Sequence, residues 1–318
     1  MITHSEDLDG IASAVMLRLK YKMPLSNLFF ADHSTKTLDY AFDGVERRAK
    51  PGDLIFITDL SPDTSTVAYL KRRVLKLKKR GCTFIWLDHH PWAKDNSELA
   101  RLCYIAVFGE SSTCATEIAQ KALNLHGSYA KRLADIVHVS DFALMPRSKA
   151  EATLLRNYDR ALVYCNTLPI KRTNSGLRSV VREIGSGRIR NRLVDSAAGK
   201  LEKMSSINTA AMLRDLRYIR NSIAVGFSGS EIFSDEAKEK MFAQSRKDIV
   251  IHIDCDRRTA SMRSKSKDIS GLGSAMGGGG HPHAAGFPLN ESYDLKKENG
   301  RKRLLSDIEK AAVKLGIV

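Results

Sequence analysis

The chain has 318 residues, 43% of them hydrophobic, with a formal net charge of +15 and a pI near 9.6. That length suffices for two domains with sizeable cores, and no apolar stretch approaches the roughly 20 residues needed to span a bilayer. With no signal-peptide character at the N-terminus, a cytoplasmic protein without a membrane partner is expected, and the positive charge points to polyanions, nucleic acid first.

In chain order, strand-like segments near 1–4, 27–31, 53–58, 83–87 and 104–108 alternate with helical patterns near 10–21, 36–48, 64–80 and 112–125. This alternation predicts a mainly parallel sheet with crossover helices. Helical patterns then dominate from about 128 to 221, broken at Pro146, Pro169 and Gly185-Ser186-Gly187. Strand-like 222–227, 248–254 and 259–263 open a second, smaller α/β unit. The expected organisation is an N-terminal α/β domain over 1–165, a basic helical linker over 166–220 and a smaller C-terminal α/β domain over 221–318. Cys82, Cys103, Cys114, Cys165 and Cys255 are odd in number and mostly embedded in apolar segments, which fits reduced core thiols.

The chemistry lies where the apolar runs end. Asp88-His89-His90 closes Thr83–Leu87, Asp59 follows Leu54–Thr58, Asp141 follows Ile136–Ser140, and Thr3-His4-Ser5-Glu6-Asp7-Leu8-Asp9-Gly10 stands near the start. Asp7 and Asp9, two residues apart at a strand end, would present both carboxylates to one side. Clustered carboxylates repel and are costly to desolvate, and a divalent cation removes that cost. Oxygen ligands with imidazoles suit Mn²⁺ or Mg²⁺, with Zn²⁺, Co²⁺ or Fe²⁺ as substitutes, and two such ions sharing a carboxylate serve phosphoester hydrolysis. Taken singly, Asp59 or Asp141 reads equally well as a turn or helix-capping residue. His138 and His252 sit in apolar runs as core histidines, and His33 and His126 read as loop residues.

These motifs, with Gly277-Gly278-Gly279-Gly280-His281 downstream, resemble the DHH phosphoesterase superfamily, whose members include RecJ-type exonucleases, nanoRNases, cyclic-dinucleotide phosphodiesterases and family II pyrophosphatases. The likeness spans nearly the whole chain. It implies an N-terminal DHH domain and a DHH-associated C-terminal domain. By that resemblance, His4, Asp7 and Asp59 would hold one metal ion, and Asp9, Asp59, His89 and Asp141 the other, with Asp59 bridging. His90 would face the scissile phosphate.

A glycine run lets backbone N–H groups approach an anion, so Gly278, Gly279 and Gly280 with His281 form a candidate phosphate nest. Arg263, in Ser261-Met262-Arg263-Ser264, resembles a family element that binds phosphate, for which a guanidinium fork is suited. The segment from Lys171 to Arg220 is markedly basic, and Arg188, Arg190 and Arg192 could track a phosphodiester backbone. An exonuclease acting on single-stranded DNA or RNA or on short oligonucleotides is the leading expectation. A small-molecule phosphoesterase for cyclic or linear dinucleotides or nucleoside bisphosphates is the alternative, and a non-catalytic nucleic-acid-binding protein the third class. Self-association into a homo-oligomer stays open.

Overall fold

The computed structural model describes residues 1–318 apart from 63–65, 93–95, 111, 230, 233 and the side chain of 235. The chain divides into two compact units, Met1–Lys200 and Leu201–Val318. In the first, β1 (Ile2–His4), β2 (Phe29–Ala31), β3 (Leu54–Thr58), β4 (Thr83–Leu87) and β5 (Ile105–Val107) form a parallel sheet in the order β2-β1-β3-β4-β5. All five expected strands are present. The crossovers carry α1 (Leu8–Tyr21), α2 (Thr35–Glu46), α3 (Val67–Lys79) and a short α4 (Ser97–Leu102) that the sequence pattern did not reveal. Residues 64 and 65 of the helix expected over 64–80 lie outside the described residues.

Alternation along the strands fills both faces of this sheet, as a parallel sheet covered by helices requires. Ile55 and Ile57 pack with Leu38, Phe42, Leu70 and Val74 on the face of α2 and α3. Phe56, between them, joins Ile11, Val15, Leu133, Tyr158 and Val181 on the other face. That second layer is built by α1 with α5 (Ala115–Ala122), α6 (Ser128–Asp141), α7 (Lys149–Asn166) and α8 (Ile170–Gly185). α9 (Arg192–Arg214) runs across the division between the units. Within the segment expected as a linker, 166–220, α8 buries Leu177, Val180, Val181 and Ile184 in the first core.

The second unit is a mixed sheet in the order β10-β11-β9-β8-β7-β6. Its strands are β6 (Arg217–Ile219), β7 (Ile223–Ser228), β8 (Ile249–Asp254), β9 (Thr259–Ser264), β10 (Gly279–His281) and β11 (Ala284–Pro288). α11 (Ser270–Ala275) and α12 (Glu298–Lys314) cover one face, and α10 (Ser234–Ser245) with the end of α9 the other. No helix among the described residues is long and apolar enough to cross a membrane.

The start of α1 is closely packed against β1. Asp7 is its N-cap, accepting the Gly10 N–H at 2.9 Å. The Thr3 hydroxyl donates to the Gly10 carbonyl at 2.7 Å and accepts from the Thr58 hydroxyl at 2.8 Å, tying β1, β3 and α1 together. A Cβ on Gly10 would stand 2.4 Å from the His4 carbonyl oxygen, so only glycine permits this approach. Gly10→Ala is therefore expected to destabilise the protein by about 1–3 kcal/mol, the usual cost of overpacking. Thermal unfolding checks this, and an unchanged melting temperature would refute the tight join.

Candidate metal centre

In a parallel sheet of this order, ligands bind beyond the carboxyl ends of the strands, where the chain changes direction from β1 to the two sides. His4 ends β1, Asp59 follows β3, and Asp88-His89-His90 follow β4. Asp7 and Asp9 are not at a strand end as expected, because β1 stops at His4 and Asp7 caps α1. Asp9 sits in the first helical turn, so the helix, rather than strand alternation, sends the two carboxylates to different places. Asp141 is the last residue of α6.

Three sets of side chains converge with ligand atoms within 4.8 Å of one another: His4, Asp7 and Asp59; Asp9, His89 and Asp141; and Asp59, His89 and His90. Every residue expected to hold metal is in one of these sets. His89 Nε2 lies 3.6 Å from Asp141 Oδ2, 3.7 Å from Asp59 Oδ1 and 3.9 Å from Asp9 Oδ2. His4 Nε2 lies 3.9 Å from Asp7 Oδ2. These separations exceed hydrogen-bond length, so the atoms face one another across a gap. Both Asp59 oxygens, His89 Nε2 and Asp141 Oδ2 are buried without a hydrogen-bond partner. Buried polar atoms are rarely left so, and a shared cation explains all four.

Electrostatics agree. Burial, with the charges of Asp7, Asp9 and Asp88, raises the Asp59 carboxyl well above the ordinary range. Burial and the Asp7 charge push Asp9 up to about 7, although its carboxylate accepts the Ala115 and Thr116 N–H groups at 2.7 Å at the start of α5. Burial also raises Asp141 and lowers His89. Asp59 further has φ +52°, a left-handed conformation unusual for a buried non-glycine residue, with its N–H held by the Leu87 carbonyl at 2.9 Å.

Asp88, fully buried, receives the His90 Nδ1 at 2.9 Å through one oxygen and the Trp92 indole N–H at 2.7 Å through the other. It thereby positions His90 and raises its proton affinity. Sequence reasoning missed two neighbours. His33, read as a loop residue, brings its ring centroid to 5.4 Å from that of His4, and Glu6 Oε2 lies 3.8 Å from His4 Nε2. Nothing in the sequence marks the loop after β2 as close to β1 except the strand pairing itself. His252 is a satisfied core residue, bonded to Ser228 and Ser234, and burial lowers it to about 4. His138 is instead partly exposed and pairs with Glu117 at 2.9 Å.

In the second unit the glycine run is mostly the edge strand of a hairpin, with Gly279, Gly280 and His281 opposite Gly286, Ala285 and Ala284. A Cβ on Gly278 would stand 2.0 Å from the Gly286 carbonyl oxygen, so close backbone approach explains that glycine. The Gly278 N–H donates to the Gly273 carbonyl at 2.9 Å, which corrects its expected place in an anion nest. Ala284 pairs with both His281 and Arg263, so the three lie in one row across three strands, with both longer side chains on the same sheet face.

The metal-free centre has a definite pH signature. The fold favours protonated Asp59 and Asp9, so it holds protons that the unfolded chain releases, and stability falls as pH rises from the ordinary carboxylate range through about 7. A bound divalent cation reverses this. The gap in melting temperature between Mn²⁺-saturated and chelator-treated protein should widen from about pH 5 to about pH 8; a constant gap would rule out the cage.

No protein-family model and no curated protein matches the chain. Solved structures do. The chain is similar to the pGpG-specific phosphodiesterase PggH from Vibrio cholerae, at 14% identity and TM-score 0.47, covering 98% of this chain and 99% of that one. An exopolyphosphatase-related protein from Bacteroides fragilis matches at 12% identity and TM-score 0.41, over 99% and 92% of the two chains. RecJ from Thermus thermophilus, in complex with Mg²⁺, matches at 12% identity and TM-score 0.43, over 97% of this chain and 49% of that one.

Proposed function

We propose that the protein is a metal-dependent phosphodiesterase acting as an exonuclease on single-stranded DNA or RNA and on short oligonucleotides. The observation that carries this reading is Asp59, whose two buried, unpartnered oxygens stand between His4 with Asp7 and His89 with Asp9 and Asp141. Two divalent cations, Mn²⁺ first, would be held by these residues, with Asp59 shared; bound there, they neutralise phosphate charge and lower the pKa of water. His90, anchored through Nδ1 by Asp88, has Nε2 left for a phosphate oxygen and donates to it as an imidazolium, the form that Asp88 favours. Arg263 and His281, with Gly279 and Gly280, are proposed to hold a substrate phosphate.

The net charge of +15 supports a nucleic-acid substrate. The basic segment is less free than its composition suggests, because Arg178 donates twice to the Leu28 carbonyl and Arg188 pairs with Glu183 at 2.7 Å. That observation favours the second reading, a phosphoesterase for cyclic or linear dinucleotides or nucleoside bisphosphates, which needs no long track. End-labelled DNA and RNA of graded length, incubated with Mn²⁺, separate the two. The exonuclease reading expects stepwise loss of mononucleotides from single strands, and turnover confined to dinucleotides would favour the alternative. Asp59→Asn should abolish turnover and metal binding together. His90→Ala should lower kcat by about 10²–10⁴-fold with metal content retained, and metal loss there would make His90 a ligand instead.

A further inference from the structure

Beside the ligand clusters stands a pair of stacked rings that hydrolysis itself does not use. Trp92 and Phe108 lie face to face, centroids 4.5 Å apart and planes within 9°. Trp92 is held on two sides, by its indole N–H bond to Asp88 and by the edge of buried Trp86 at 5.0 Å and 77°. The Asp88 carboxylate is also the one that holds His90. Gly109, next to Phe108, donates its N–H to the His90 carbonyl at 3.0 Å. The platform is thus joined to His90 twice, through a side chain and through the backbone.

Phe108 nevertheless stays 38% exposed and belongs to no apolar cluster of the described residues. Beside it, a Cβ built on Gly109 would meet no atom of the described residues within 4 Å, so among them the adjoining space is open. A rigid ring with one face backed and its surroundings open is what a nucleobase stacks on, and such stacking tolerates any base because every base has a π-face. An inorganic phosphate chain has no use for it.

We infer that Phe108, backed by Trp92, is a nucleobase subsite of the metal centre. The substrate class is then a nucleotide whose base rests on Phe108 while its phosphate lies at His90. This rests on the phosphodiesterase reading and adds which residue receives the base of its nucleotide substrate.

Calorimetric binding of a nucleoside 5′-monophosphate and of ribose 5-phosphate to the Mg²⁺-loaded protein tests it. The nucleotide should bind roughly tenfold or more tightly, the effect of stacking one base. Phe108→Ala and Phe108→Leu should bring the ratio near one with ribose 5-phosphate affinity and metal content unchanged, and Phe108→Trp should keep it. A ratio near one in the unaltered protein, or one that survives both Ala and Leu, overturns the subsite and leaves the phosphodiesterase reading standing. Failure of both ligands to bind the unaltered protein overturns the two together.

Discussion

The organisation of the first unit depends on carboxylates gathered where water cannot compensate them. Asp9, Asp59 and Asp88 are each at most 1% exposed. Asp88 resolves its burial with donors from His90 and Trp92, and Asp9 partly does so with two N–H groups of α5. Asp59 has no such donor and is also held in a left-handed backbone conformation. A protein fold tolerates such strain only where surrounding structure over-determines it, and here the β3–β4 pairing and the Leu87 carbonyl do so.

The sheet order explains why these groups meet. Because β1 lies between β2 and β3, the segments leaving β1 and β3 open a crevice at neighbouring strand ends, and β4 adds Asp88-His89-His90 from the next position. α6 then delivers Asp141 from the helical layer. Residues separated by more than a hundred positions become neighbours through packing of apolar faces, and Asp9 adds hydrogen bonds from the start of α5.

Much of this was legible in the sequence. The five strands of the first sheet follow from short β-rich runs bounded by turns, and His4, Asp59 and Asp88-His89-His90 sit at their ends because a strand that stops at a polar residue exposes it there. The route of Asp7 and Asp9 was not legible, since capping by Asp7 turns the chain into a helix three residues after His4. β10 and β11 were hidden because glycine and alanine carry no strand signature, and their pairing comes from backbone approach. Trp92 and Phe108 are sixteen positions apart with no shared motif, and only the β4–β5 pairing brings them together.

The two residue sets that could hold a cation differ in the exposure of one member. The Asp7 side chain is 46% exposed, while those of Asp9, His89 and Asp141 are 0%, 11% and 15% exposed. Among these residues, Asp7 is the one a solvent cation would meet first. A cation held beside Asp7 would therefore exchange with the medium more readily than one held among Asp9, His89 and Asp141.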